Sequence, residues 1–127
     1  HLSTTRPDIY HEVEETASYI LEFPSGAIAT CQSSFGANIN LLQVNYEKGW
    51  LKMEPQTSYG GNRGSMSDGT EIYTPVDAQQ PLQMDNDALS IINKKTYLCP
   101  GEEGLRDIRI VEAVLKSGAN GGSEVKL

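Results

Sequence analysis

Hydrophobic and polar positions alternate from Thr16 to Phe23. Ala17, Tyr19, Leu21 and Phe23 share one side, and Thr16, Ser18, Ile20 and Glu22 the other. A period of two predicts a β-strand. Phe23-Pro24-Ser25-Gly26 then reads as a tight turn, with Pro24 presetting its own φ and Gly26 free to take the left-handed conformation. The return strand runs from about Ala27 to Phe35 and sets Ala, Cys and Ser against Ile, Thr and Gln. Its small side chains predict a close-packed neighbour over that side. Gly36 breaks the run. A third strand is expected over Ile39 to Tyr46, Glu47-Lys48-Gly49 is a second turn, and a fourth strand covers Trp50 to Glu54 with Leu51 and Met53 on one side. Pro55 to Gly69, rich in Gly, Ser and Asn, reads as loop or as loop with a short strand in it. Gly69 to Pro75 carries one more strand through Ile72 and Tyr73.

The period changes in the last third. Asp85 can cap a helix in which Ala88, Leu89, Ile91 and Ile92 fall at helical spacing, ending near Asn93. Pro100-Gly101-Glu102-Glu103 opens a second helix, with acids where the positive end of the dipole favours them. It continues through Leu105, Ile108, Ile110, Val111, Val114 and Leu115, with Gly118 as its expected stop. Asn120-Gly121-Gly122 then turns the chain into a final strand, Glu124 to Leu127. The apolar arc of this helix is wide enough for deep burial in its own domain or for packing against a neighbouring one. Strands first and helices last predict an α+β fold, a mostly antiparallel open sheet with helices on one face.

Composition bounds the function. The chain has 127 residues, enough for a single domain, with 38% hydrophobic and 21% charged residues. A formal net charge of −7 argues against a nucleic-acid binder, which needs a basic face, so no nucleic-acid partner is expected. No stretch approaches the roughly 20 apolar residues of a membrane span, and no basic start leads into an apolar run, so neither a membrane partner nor a signal peptide is expected. These signals leave the compartment open. Cys31 and Cys99 are far apart, and Cys31 in a strand acts as a small apolar residue; their spacing requires no disulfide.

Catalytic patterns are absent. Gly60-Gly61-Asn62-Arg63-Gly64 lacks the spacing of a dinucleotide loop, and no phosphate loop occurs. His1 and His11 lie in the irregular N-terminal segment, where no ligand spacing supports a metal. Glu14-Glu15 would point to opposite sides of a strand, and Glu102-Glu103 suit a helix start better than a glycosidase pair. Asp107 falls within the apolar arc of the last helix, where stabilisation of the helix start explains it better than chemistry does. Ser33 and Ser34 have no histidine partner. No catalytic, cofactor-binding or metal residue is therefore assigned.

The run Pro100-Gly101-Glu102-Glu103-Gly104-Leu105-Arg106-Asp107 and the Ile-x-Glu-Ala helix after it closely resemble the C-terminal region of the glucose–fructose oxidoreductase/inositol dehydrogenase/MocA-like family. Leu21-Glu22-Phe23-Pro24-Ser25-Gly26-Ala27 is similar to that family's hairpin. The Glu47-Lys48-Gly49 corner fits too, with Asn45 where glycine is commoner. The resemblance runs from about Thr16 to Leu127.

It implies that residues 1–127 are one C-terminal domain, with a glyceraldehyde-3-phosphate dehydrogenase-like sheet, of a longer oxidoreductase acting on a sugar or polyol. The parent's Rossmann domain, absent from this chain, would hold NAD or NADP and the catalytic lysine of an E-K-P motif. Lys48 follows a glutamate but lacks the proline, so this fragment alone is expected to be inactive. Phe35, Asn38 and Asn40 stand where related dehydrogenases present side chains to substrate, and an amide can both donate to and accept from a hydroxyl. Gly36 and Asn38 serve equally well as turn residues. Expected partners are the missing Rossmann domain, the sugar or polyol, and a second copy bound through the open sheet face. A stand-alone carbohydrate-binding module and a purely structural oligomerisation domain are the rival readings.

Overall fold

The computed structural model describes residues 1–75 and 78–127. Strands β1 (Leu2–Ser3), β2 (Thr16–Glu22), β3 (Ile28–Ser34), β4 (Leu42–Tyr46), β5 (Gly49–Met53), β6 (Asn62–Met66) and β7 (Glu71–Thr74) precede helices α1 (Gln79–Ile92) and α2 (Gly101–Ala119). The α+β class with antiparallel strands, read from the sequence, is the class observed. The strands divide into two sheets, ordered β1-β2-β3 and β4-β5-β6-β7. Each sheet belongs to its own compact unit, one of residues 1–38 with 99–127 and one of residues 39–98.

In the first unit, β2 and β3 pair from Thr16↔Ser34 to Glu22↔Ile28. Gly26 takes φ 85°, and the Phe23 N–H donates to the Ala27 carbonyl at 2.9 Å, so the expected hairpin turn forms. Strand β1 pairs Leu2 with Ala17 and Ser3 with Thr16; two residues are too short to show a period. Ala17, Tyr19, Leu21, Ala29 and Cys31 share the better-buried side of this sheet, whereas Ile20 and Ile28 are exposed on the other. Both cysteines are free.

Helix α2 half-buries Ile110, Ala113, Val114, Ser117 and Gly118, the i, i+3, i+4, i+7, i+8 stripe of a one-sided helix. Gly118 does not stop it. A Cβ there would lie 2.6 Å from Leu2 Cγ, so this glycine permits close approach of β1 inside the helix. The helix ends instead at Asn120, where Gly121 and Gly122 take φ 70° and 86° and the Gly122 N–H donates to the Ser117 carbonyl at 2.8 Å. The final strand expected over Glu124 to Leu127 does not form. Among the described residues no strand edge pairs with it, and without a ladder partner an extended segment is not a strand. Val125 is half-buried beside α2.

In the second unit β4 to β7 form a meander. The Gly-, Ser- and Asn-rich segment contains β6, which pairs with both β5 and β7. Gly69 at φ 87° and an Asp68 carboxylate accepting the Thr70 N–H at 2.9 Å close the β6–β7 turn. Helix α1 starts at Gln79, six residues before Asp85, with Ala78 as its N-cap. Pro81 is tolerated because a first-turn N–H has no helical partner to lose, so Asp85 lies within the helix and caps nothing. The end at Asn93 is as expected, and its side-chain amide donates to the Leu89 carbonyl at 2.7 Å.

Candidate functional site

The β3 exit is built around one carboxylate. Glu15, 4% exposed, immediately precedes β2 and lies against the segment 4–6 that precedes it by about ten residues. Its Oε2 accepts the Thr5 N–H at 2.9 Å, the Thr5 hydroxyl at 2.8 Å and the Arg6 N–H at 3.2 Å. Its Oε1 accepts Arg6 Nε at 2.8 Å and Nη2 at 2.5 Å. The two Thr5 bonds, with Arg6 beside them, hold the Glu15 carboxyl down to about 2 against the opposing effect of burial.

The same group fixes the next corner. The Phe35 N–H donates to the Glu15 carbonyl at 3.0 Å, and a Cβ on Gly36 would lie 2.5 Å from Glu15 Oε1. The Gly36 N–H donates to Ser34 Oγ at 3.0 Å, and Ser34 Oγ lies 2.6 Å from Thr16 Oγ1. Gly36 is therefore demanded by packing against Glu15.

Two aromatic rings sit at this corner. Tyr10 and Phe35 stack with centroids 5.6 Å apart and planes 17° from parallel. The Arg6 guanidinium lies 5.2 Å from the Tyr10 centroid, and the Tyr10 N–H donates to the Arg6 carbonyl at 2.9 Å. Phe35 also borders a cavity of about 220 Å³ between the sheet and α2, lined on its polar side by Glu14, Tyr19 and Ser33 and on its apolar side by Val111 and Val114. Burial, with Cys31 beside it, raises the Tyr19 phenol.

The three residues expected at a substrate site fall in different places. Phe35 and exposed Asn38 belong to the first unit and Asn40 to the second. The Asn40 side chain organises its own loop. Its Oδ1 accepts the Gln56 and Thr57 N–H groups, each at 2.9 Å, and the Thr57 hydroxyl at 3.2 Å, while its Nδ2 donates to the Thr57 carbonyl. Nothing in the sequence groups Thr5, Arg6, Tyr10 and Glu15. Their only signal was a basic and an acidic residue flanking a strand start.

The remaining candidates have local explanations. Glu102 and Glu103 lie in the first turn of α2, Glu103 accepts Arg106 at 3.4 Å, and Asp107 is an exposed side chain 4.0 Å from Arg106. Among the described residues no group of three His, Cys, Asp or Glu converges as metal ligands would, and no helix is long and apolar enough to cross a membrane. A dinucleotide pyrophosphate needs N–H groups at a helix start after a strand. Gly60 to Gly64 instead runs into β6, whose backbone is committed to β5 and β7, so these residues do not fit that cofactor.

The family model described as "Oxidoreductase family, C-terminal alpha/beta domain" matches residues 2–127. The chain is also similar to the crystal structure of an aldose–aldose oxidoreductase from Caulobacter crescentus complexed with glycerol. Identity is 34% and the TM-score 0.86, over 99% of this chain and 39% of that one. The chain thus spans well under half the length of that protein.

Proposed function

Because this chain belongs to the glucose–fructose oxidoreductase/inositol dehydrogenase/MocA oxidoreductase family, as a C-terminal α/β domain, we propose that it is the substrate-side domain of an NAD(P)-dependent sugar or polyol oxidoreductase. A Rossmann domain elsewhere in the full-length protein would hold the nicotinamide, and the hydride chemistry is the cofactor's. The corner of the first unit that carries Phe35 and Asn38 would supply one wall of the pocket. Phe35 and Asn38 would face substrate, and Asn40 would hold the backbone of 56–57 in place. Similarity to an aldose–aldose oxidoreductase supports an aldose as the substrate class.

The observation that carries this reading is the family match over residues 2–127; exposed apolar side chains support a partner domain. Among the described residues Ala17 is the one buried hydrophobic side chain. Ile20 and Ile28 on the sheet, Leu105 and Ile108 on α2, and Leu89 and Ile92 on α1 are all more than half exposed. A stand-alone module would enclose its own core; surface of this kind marks interfaces. The open face carrying Ile20 and Ile28 is the expected contact with a second copy.

The test is a nicotinamide-reduction assay of the full-length protein with NAD and NADP against a panel of aldoses and polyols. Turnover by the full-length protein and none by residues 1–127 is the expected result. Sugar binding by the isolated chain, with no turnover in the full-length protein, would establish the carbohydrate-binding module instead. The Ile20→Asp variant should dissociate the assembly by sedimentation; an unaltered oligomer would remove the sheet face from the interface.

A further inference from the structure

Resting on the sugar-oxidoreductase reading above, we infer that Glu15 and Arg6 are positioning residues that hold Tyr10 and Phe35 as an aromatic platform for the apolar face of a sugar ring. A single exposed phenylalanine means little. Phe35 differs because it is 76% exposed and yet fixed from several directions. Its N–H is held by the Glu15 carbonyl, the following residue packs on the Glu15 carboxylate, and its ring lies on Tyr10. Tyr10 is fixed in turn by Arg6, through its backbone N–H, through the guanidinium near its ring, and through Arg6 Nη2 donating to its hydroxyl at 3.4 Å. A rigid ring offered to solvent is preorganised and loses little freedom on binding.

The chemistry of the surroundings suits a sugar. The negative face of an aromatic ring attracts the weakly positive C–H edge of a pyranose. Arg6 is 44% exposed, and among the described residues its Nη1 makes no hydrogen bond, leaving donors for ring hydroxyls. The cavity that Phe35 borders adds Glu14, Tyr19 and Ser33 as further polar groups beside the apolar Val111 and Val114.

The experiment uses the full-length protein, with KM and kcat measured for the best aldose of the panel. Phe35→Ala should raise KM about five- to tenfold with kcat little changed, and Phe35→Tyr should restore the wild-type value. Glu15→Gln should raise KM in the same direction. The double variant should be no worse than Phe35→Ala alone, because Glu15 acts through that ring. Arg6→Lys is the second probe should Glu15→Gln fail to fold. An unchanged KM in Phe35→Ala, or a double variant whose effects multiply, overturns the inference. Glucose titration of protein labelled with fluorophenylalanine separates the two readings. A saturable Phe35 shift without turnover keeps the platform and removes the oxidoreductase reading; no shift with turnover intact removes the platform.

Discussion

The exit from β3 and the entry to β4 are each fixed by one side chain, but with different chemistry. At the first, the Glu15 carboxylate gathers donors from Thr5 and Arg6 and tethers a segment about ten residues away. At the second, the Asn40 amide closes the 56–57 loop through both its oxygen and its nitrogen. The carboxylate is buried and charged, whereas the amide is half-buried and neutral. Charge-assisted bonds are the stronger kind, and removing a buried carboxylate leaves the donors it held unmatched. The first corner should therefore be held more firmly, and its hold should depend on pH.

Glu15→Ala should give the largest loss of stability, because it strands the Thr5 and Arg6 N–H groups together. Its denaturation midpoint should fall further than that of any other variant named here. Gly36→Ala comes next: the Glu15 Oε1 it would crowd accepts two bonds from Arg6 and cannot swing aside cheaply. Asn40→Ala should cost about 1–2 kcal/mol in denaturant titration, the net worth of a few part-exposed hydrogen bonds. An Asn40→Ala loss equal to that of Glu15→Ala would break the contrast between charged and neutral anchors.

The pH dependence sharpens the same contrast. The Glu15 carboxyl titrates near 2 in the folded chain instead of its ordinary 4.5. Its contribution is thus fully present above about 4.5 and is lost as pH falls towards 2, since the unfolded chain takes up the proton first. Midpoints measured across that window should decline more steeply for wild type and Asn40→Ala than for Glu15→Gln. Parallel curves for all three would show that Glu15 does not carry the acid sensitivity. The smallest effect is expected at Gly118→Ala. There the helix gains about 1 kcal/mol of propensity but crowds Leu2. Thermal melts should show near-neutrality in wild type and a net gain once Leu2→Ala has opened the space.

Local features were legible in the chain. The β2–β3 hairpin, the β4–β5 corner and α2 follow from alternation, from Pro24 and Gly26, and from helical spacing after Pro100. Expectation and structure differ at three places, two of them where a local signal meets a non-local competitor. Asp85 has capping chemistry, but the helix began earlier because Pro81 fits a first turn. Gly118 looks like a stop, yet it makes room for Leu2. Glu124 to Leu127 has strand character and finds no edge. The site was less legible than the fold. Phe35 stands out only through the family resemblance, and nothing in the spacing of Thr5, Arg6, Tyr10 and Glu15 announces that they converge.

The sequence by itself determined the elements whose hydrogen bonds and turn geometry close within a few residues, and it determined family membership through the Pro100–Asp107 run. The tertiary structure alone decided which carboxylate of Glu14-Glu15 is buried, which ring Phe35 stacks on, and that Asn40 is committed to its own loop. The physical reason is range. A helix or hairpin satisfies its backbone locally, so composition and period reveal it. A buried carboxylate must find donors wherever the fold brings them, and that placement depends on how the whole unit packs.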